Sequence, residues 1–172
     1  MEVRRGPNGC PWDAEQTHQS IRRDFLEETY EAVEAIDNGD SAALCEELGD
    51  VLLQVVFHAS LGAAENTFNM DDVVDGICRK LIYRHPHVFG QAKADTSEQV
   101  LAAGDSLKRA EKGQDTYTST MEQVAKSLPA LMYAEKIQKK AKKSGFDWPE
   151  VSGALSKVRE ETAELTEAIA LG

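Results

Sequence analysis

The chain has 172 residues, of which 41% are hydrophobic and 28% are charged, so it can bury a core and is not expected to be disordered. Its 30 acidic residues outnumber its 19 basic residues, which gives a formal net charge of −11. Nearly all of this surplus lies between Asp13 and Asp50, where 12 acidic residues accompany only two basic ones. This concentration argues against a nucleic-acid partner, because phosphate binding needs a basic surface. It favours cations, or a substrate that arrives with its own cations.

Hydropathy and cysteine content indicate the compartment. The longest apolar run, residues 51–57, is interrupted by Gln54 and is far shorter than the ~20 residues of a membrane span. No secretory signal pattern opens the chain, so no membrane partner is expected. The three cysteines form an odd set without C-x-x-C spacing. A reduced, cytoplasmic compartment is the simplest interpretation.

The first long helix is predicted to begin at Asp13, which with Gln16 forms a capping-box pattern. Apolar residues then recur at spacings of three and four over residues 21–36, the period of a helical stripe. Asn38 and Gly39 tolerate the left-handed conformation that ends helices, so the helix should stop there.

The second helix should be capped by Asp40 or Ser41 and should run to Ala59, with its later half apolar on most sides and therefore central and buried. No run of β-branched residues alternates with period two, so the whole chain is expected to be α-helical. A third helix is predicted from Asn69 or Asp71 to about Tyr83, followed by a loop over 85–90. A fourth helix, capped by Thr96 with Gln99, should reach Lys112 and close at Gly113. A linker then begins at Gln114, and a basic helix over 129–143 and an acidic helix over 150–171 follow.

An internal similarity suggests a second repeat. Residues 9–12 precede a helix carrying Glu-Glu-Thr-Tyr-Glu at 27–31, and residues 145–149 precede one carrying Glu-Glu-Thr-Ala-Glu at 160–164. Both helices end in Glu-Ala-Ile. The spacing from Trp to Glu differs by three residues, and chance similarity between two Glu-rich helices is the alternative.

Two carboxylate pairs are the strongest candidates for chemistry. Glu28 with Glu31, and Glu47 with Asp50, each have the i, i+3 spacing that places both side chains on one helix face. In an antiparallel hairpin, residues that face each other have numbers with a constant sum. Glu28 with Asp50 and Glu31 with Glu47 both sum to 78, which centres the turn on Gly39. Four carboxylates are therefore predicted to converge.

Such a patch would repel itself, and burial beside the apolar part of the second helix would add a desolvation cost. A hard divalent cation removes both problems, and an all-oxygen cluster suits Mg²⁺ or Mn²⁺ better than zinc. The alternative is that these acids form a solvated helix face, as most Glu-rich stretches do.

Bound Mg²⁺ with open positions usually meets substrate phosphates. Lys80 and Arg84 share a helix face and could hold phosphate oxygens, although a basic last turn that complements the helix dipole is an equal alternative. The same ambiguity applies to Lys108, where the dipole explanation is favoured. Trp12 could stack on a base, although an aromatic residue next to a helix start is more often a hydrophobic anchor.

At these residues the sequence resembles the MazG-like nucleoside triphosphate pyrophosphohydrolases. The resemblance is carried by the motifs at 9–13, 27–31, 47–50 and 84–89, and it continues through 127–131 to 145–148. It implies an all-α fold, a helical hairpin in a four-helix domain, that assembles as homodimers or higher homo-oligomers. It also implies Mg²⁺-dependent hydrolysis of a nucleoside triphosphate to the monophosphate and pyrophosphate.

The resemblance also implies roles for individual residues. The four carboxylates would be metal ligands, and Lys80 and Arg84 would contact phosphates. Glu27 would either support the ligands from behind or orient the attacking water. Trp12 and Lys108 complete the candidate substrate-binding set. In full, the candidate site comprises Trp12, Glu27, Glu28, Glu31, Glu47, Asp50, Lys80, Arg84 and Lys108.

Three departures from the family pattern stand beside the resemblance. Gly104 stands ahead of Lys108 where the family often has Trp, and Asp24 stands where active repeats have a Lys, which Lys157 matches in the second repeat. The second repeat also ends at Gly172, before its E-x-x-D. The chain is therefore expected to be a fragment or a shortened form, and a weak or inactive repeat that serves oligomerisation or regulation is the alternative function. The predicted organisation is a MazG-like domain over 1–113, a linker over 114–128, and a basic helix with an incomplete second repeat over 129–172.

Overall fold

Helices account for all the regular secondary structure in residues 1–111, 113 and 116–171, which are the residues that the computed structural model of this protein describes. This confirms the predicted all-α fold class. The helices are α1 Glu2–Arg5, α2 Pro11–Glu15, α3 Arg22–Asn38, α4 Ser41–Ala64, α5 Met70–Arg84, α6 Pro86–Phe89, α7 Ser97–Glu111, α8 Tyr117–Glu122, α9 Ala130–Lys143 and α10 Val151–Leu171.

The chain divides into two compact units, Met1–Ala92 with α1 to α6 and Lys93–Gly172 with α7 to α10. The predicted domain bounds at 113 and 128 remain a prediction about how the chain is organised. The predicted helix end at Lys112, the predicted linker start at Gln114 and the last residue, Gly172, lie outside the described residues.

The antiparallel hairpin of α3 and α4 is the main packing unit of the first unit. Gly39 ends α3 with a φ of +67°, a conformation that costs little without a Cβ, and its N–H donates to the carbonyl of Ile36. The carboxylate of Asp40 then accepts hydrogen bonds from the N–H groups of Ala42 and Ala43, which caps α4. The predicted stop and the predicted cap are both confirmed.

Packing between α3 and α4 follows the predicted register. Ile21, immediately before α3, is 1% exposed and belongs to one buried cluster with Phe57 and Leu61 of α4. Ile21 and Phe57 also have numbers that sum to 78. The buried apolar residues of α4 lie in its later half, as its composition predicts. On α3 the buried residues are Ala32 and Ala35, which let the two backbones approach closely.

The predicted helix start at Asp13 is wrong. Asp13 lies inside the short helix α2, which begins at Pro11, and α3 begins only at Arg22. The side chain of Asp13 is fully buried and accepts two hydrogen bonds from Arg4, from Nε at 2.6 Å and from Nη2 at 3.1 Å. The carboxylate that the local sequence pattern assigned to a helix cap is therefore engaged by Arg4. The ion pair offsets the cost of burying this charge.

Two further contacts join the segment before α3 to α4. Arg5 donates from Nε to the carbonyl of Asp13 and from Nη1 to the hydroxyl of Ser60, each at 3.2 Å. The imidazoles of His18 and His58 stack with centroids 5.0 Å apart, and their Nδ1 atoms lie 2.7 Å apart, so one ring donates to the other. Burial, and then the neighbouring His18, lower the pKa of His58.

The third predicted helix is confirmed as α5. Asn69 accepts hydrogen bonds from the N–H groups of Asp71 and Asp72, and Asp72 reaches back to the N–H of Asn69. The predicted loop over 85–90 is wrong in part, because Pro86 opens the single turn α6, where its fixed φ suits a first helical position. No helix among the described residues is long and apolar enough to cross a membrane.

The second unit contains the predicted basic and acidic helices, α9 and α10. The hydroxyl of Thr96 accepts from the N–H of Gln99 at 3.3 Å, which confirms the predicted cap before α7. Residues 117–122, inside the stretch predicted as a linker, form the short helix α8, and Thr116 and Ser119 make its capping box. Helix α8 packs against α9, and α9 is tied to α7 by the ion pair of Lys143 with Asp105.

Candidate metal centre

The α3–α4 hairpin brings carboxylates from two helices together. Glu28 lies on α3, and Glu47 and Asp50 lie three residues apart on α4. One carboxylate oxygen from each of the three lies within 4.8 Å of the others. All three side chains are half-buried and therefore remain reachable from solvent.

Glu31 borders this cluster. Its side chain is exposed and is not one of the three within 4.8 Å, but its charge acts on both Glu28 and Glu47. The structure therefore places the fourth predicted carboxylate beside the three-residue cluster and opposite Glu47.

Electrostatics in the cluster reflect this proximity. The pKa of Glu28 is raised, first by burial and then by the charges of Asp50, Glu31, Glu47 and Asp24 in that order. The pKa of Glu47 is also raised, by burial first and then by Glu31 and Asp50. The strongest charge acting on each Glu comes from the residue that the hairpin register places opposite it. The metal-free cluster therefore opposes full ionisation.

The donor set fits a hard divalent cation. Oxygen ligands of Mg²⁺ lie at about 2.0–2.1 Å, so adjacent ligands of an octahedron are about 3 Å apart. Small side-chain rotations would bring oxygens that are already within 4.8 Å to that spacing. Three carboxylates also carry enough charge to offset a divalent ion, and further positions would remain for water or substrate. Glu28, Glu47 and Asp50 thus form an acidic cluster that could hold a divalent metal.

A shallow groove of about 220 Å³ lies beside the cluster, towards the hairpin turn. Its polar lining consists of Glu31, Glu34, Asn38, Asp40 and Glu47. This lining is almost entirely acidic and would repel a bare phosphate, so the groove suits a hydrated cation better than an anion.

The other predicted site residues lie on several helices. Glu27 is exposed and its Oε1 accepts from Nε of Arg23, one turn earlier, at 3.0 Å. Trp12 lies on α2 with 56% of its surface exposed. Lys80 and Arg84 lie on α5, which packs against α4, and Lys108 is an exposed residue of α7 in the second unit.

Sequence reasoning treated Asp24 only as a departure from a family pattern. In the structure Asp24 lies one turn before Glu28 on α3, and its charge helps to raise the pKa of Glu28. The i, i+4 spacing of these two acids was the signal that could have found it. Asp24 therefore belongs to the electrostatic surroundings of the cluster.

An antiparallel helical hairpin that gathers carboxylates from both of its helices defines an all-α domain with an acidic cluster that could hold a cation. Residues 16–89 match the MazG nucleotide pyrophosphohydrolase domain, and they include all of α3, α4 and α5. This segment of the chain belongs to the MazG family.

Several curated proteins are similar to this chain. The nucleoside triphosphate pyrophosphohydrolase of Escherichia coli K12 is 45% identical over 166 residues, which cover 96% of this chain and 63% of that protein. The nucleoside triphosphate pyrophosphohydrolase/pyrophosphatase MazG of Thermotoga maritima is 43% identical over 98% of this chain and 64% of its own length. Protein YabN of Bacillus subtilis is 51% identical over 135 residues, 27% of its length. The chain thus spans less than two thirds of each of these relatives.

Proposed function

We propose that this chain hydrolyses nucleoside triphosphates to nucleoside monophosphates and pyrophosphate in the presence of Mg²⁺. The observation that carries the proposal is the convergence of Glu28, Glu47 and Asp50 within 4.8 Å, inside the segment that matches the MazG domain. The names of the relatives from Escherichia coli and Thermotoga maritima support the same reaction.

In this proposal Glu28, Glu47 and Asp50 hold the ion, and Glu31 joins them by a rotation of its exposed side chain. Mg²⁺, or Mn²⁺ in its place, would neutralise triphosphate oxygens and lower the pKa of bound water. The carboxylates would fix the position of that charge on the hairpin, and this would help to orient the triphosphate.

The remaining site residues would act on water and substrate. Glu27 adjoins Glu28 and would orient the water that attacks the α-phosphorus, after exchanging its present contact with Arg23 for one to that water. A bond from the water oxygen to the α-phosphorus forms, the bond to the α,β-bridging oxygen breaks, pyrophosphate leaves, and the proton lost by the attacking water passes to solvent. Lys80 and Arg84 would hold outer phosphate oxygens. Trp12 would contact the nucleotide by stacking of its exposed ring on the base. The substrate contact of Lys108, a residue of the second unit, stays a prediction from the sequence.

The test is a panel assay of the purified chain. Each common nucleoside triphosphate is incubated with Mg²⁺, and monophosphate and pyrophosphate are both measured. Asp50→Ala should abolish turnover, whereas the matched control Asp37→Ala, an exposed acid near the end of α3, should leave turnover unchanged. Absence of turnover and of metal-dependent binding for every nucleotide would contradict the proposal. Nucleotide-dependent thermal stabilisation without hydrolysis would instead support an inactive repeat.

The same hairpin is the proposed surface for homodimers or higher homo-oligomers. Large apolar side chains on α3 and α4 remain 46–59% exposed, an arrangement that favours burial against a partner. Light scattering coupled to size exclusion should give at least a dimer, and a monodisperse monomer at high concentration would contradict this. These side chains are Leu26, Tyr30, Val33, Ile36, Leu48 and Leu52.

For the domain organisation, we propose that residues 1–113 form the catalytic domain and that residues 129–172 begin a second repeat. Helix α10 carries Glu160 and Glu161, and Lys157 contacts both, from Nζ at 2.6 and 3.5 Å. The sequence over 145–149 precedes this helix as residues 9–12 precede the first repeat's acidic helix.

A further inference from the structure

Gln54 continues the acidic face of α4. It lies four residues after Asp50 and seven after Glu47, so the three side chains project from one side of the helix. The hairpin register pairs Ile21 with Phe57 and Glu28 with Asp50. In the same register Gln54 lies between these two pairs, opposite Asp24. Gln54 is therefore located where the carboxylate cluster meets the apolar core.

The amide oxygen of Gln54 is buried without a hydrogen-bond partner. The residue is only 7% exposed, and among the described residues Oε1 of Gln54 is the buried side-chain oxygen that lacks a partner. Buried amide oxygens are nearly always paired in folded proteins. The fold is able to satisfy buried polar groups, because the fully buried Asp13 receives two hydrogen bonds from Arg4. An orphaned acceptor beside a cation-binding cluster thus indicates a donor that arrives with a ligand.

The chemistry of the acceptor restricts that ligand. Phosphate and carboxylate oxygens are acceptors themselves and cannot donate to Oε1. Water bound to a divalent cation is a strongly polarised donor, and Mg²⁺ usually keeps several such waters when protein carboxylates hold it. The position of Gln54, about 6 Å along the helix axis from Asp50, suits a contact with the hydration shell.

We propose that Gln54 is a positioning residue that accepts a hydrogen bond from water bound to the cation held by Glu28, Glu47 and Asp50. This inference rests on the proposed function, because it requires that the cluster binds a divalent cation. It assigns a role to the one polar residue that interrupts the apolar run 51–57.

The test compares wild type with Gln54→Met, which keeps the length of the side chain and removes the acceptor. Mn²⁺ and Mg²⁺ binding to the metal-free chains is measured by titration calorimetry, and thermal unfolding is followed in EDTA. Gln54→Met should weaken cation binding by about 10-fold, since residues that support a metal site typically contribute 10–100-fold in affinity. It should also raise the Tm of the metal-free protein by about 2–4 °C, because the orphaned acceptor is gone.

The matched control is Gln138→Met, an exposed helical Gln of α9, which should change neither quantity. A merely structural Gln54 would give a lower Tm with unchanged cation affinity, and that result, or an unfolded variant, would overturn the inference. Weaker nucleotide binding in EDTA with unchanged cation affinity would also overturn it, since the amide would then contact the nucleotide. If the wild type binds no divalent cation, the proposed function itself fails. If the wild type binds a divalent cation and Gln54→Met binds it with the same affinity, the role of Gln54 is refuted and the proposed function stands.

Discussion

Replacing Asp50 with Asn should stabilise the metal-free protein and abolish its response to divalent cations. Asp50 has a carboxylate oxygen within 4.8 Å of an oxygen of Glu28. Two unit charges at that distance repel by about 0.9 kcal/mol in water and by about 3.5 kcal/mol at an effective dielectric constant of 20. Both side chains are partly exposed, so screening keeps the value near the lower figure, roughly 1 kcal/mol. For a chain of this length that corresponds to a rise of about 2–4 °C in Tm.

The assay is thermal unfolding followed by circular dichroism, in EDTA and in Mg²⁺. In EDTA, Asp50→Asn should melt above wild type, and in Mg²⁺ wild type should gain stability whereas Asp50→Asn should not. The control Asp75→Asn removes a surface acid that pairs with Arg79 at 2.8 Å, so it should melt slightly below wild type or with it. A lower Tm of Asp50→Asn in EDTA, or a retained Mg²⁺ response, would refute the repulsion that this prediction assumes.

The pH dependence gives an independent check on the same cluster. The pKa of Glu28 is raised above its ordinary value of 4.5, so between that value and the raised pKa the folded state binds more protons than the unfolded state. This contribution to stability therefore falls as pH rises through the window. Asp50→Asn removes the strongest charge acting on Glu28, so the loss of stability with rising pH should be smaller in this variant than in wild type.

Three further predictions concern the fold. Burial lowers the pKa of His58 below its ordinary value of 6.5, so the unfolded state binds more protons in that window. The contribution of His58 to stability should therefore rise with pH up to about 6.5, and His58→Asn should remove this contribution in a pH series of thermal melts in EDTA. Arg4→Met leaves the fully buried Asp13 without its partner and should lower the free energy of unfolding by about 2–4 kcal/mol in urea titrations; an unchanged midpoint would contradict this. Gly39→Ala should cost about 1 kcal/mol because of its φ of +67°, whereas Gly76→Ala, inside α5 with open space around a Cβ, should stabilise by about 0.5–1 kcal/mol in the same titrations.

Local signals in the sequence predicted the hairpin well. Gly39 and Asp40 act through hydrogen bonds to residues within five positions, so their neighbours in sequence carry the necessary information. The register also follows from sequence, because a tight turn fixes which residues of two straight helices face each other. The convergence of acids from α3 and α4 could therefore be inferred before the structure was known.

Long-range contacts account for the errors. Asp13 has the local pattern of a helix cap, but its carboxylate binds Arg4, nine residues earlier, once the first residues fold back over α2. The hydrogen bond from Arg5 to Ser60 spans 55 residues. Neither partner can be chosen from a short window of sequence, since Arg4 and Arg5 are about equally near Asp13 and Ser60 lies far outside such a window.

The sequence by itself determined that this protein is helical, that α3 and α4 form a hairpin, and that Glu28, Glu31, Glu47 and Asp50 share one face, because these properties depend on helical period and turn chemistry. Only the tertiary structure decided that three of the four carboxylates lie within 4.8 Å while Glu31 borders them. It alone also showed that Gln54 is buried with an unpaired oxygen beside them. The physical reason is that the burial and pairing of a side chain depend on its contacts with neighbouring helices. Residue spacing along a single helix does not specify these contacts.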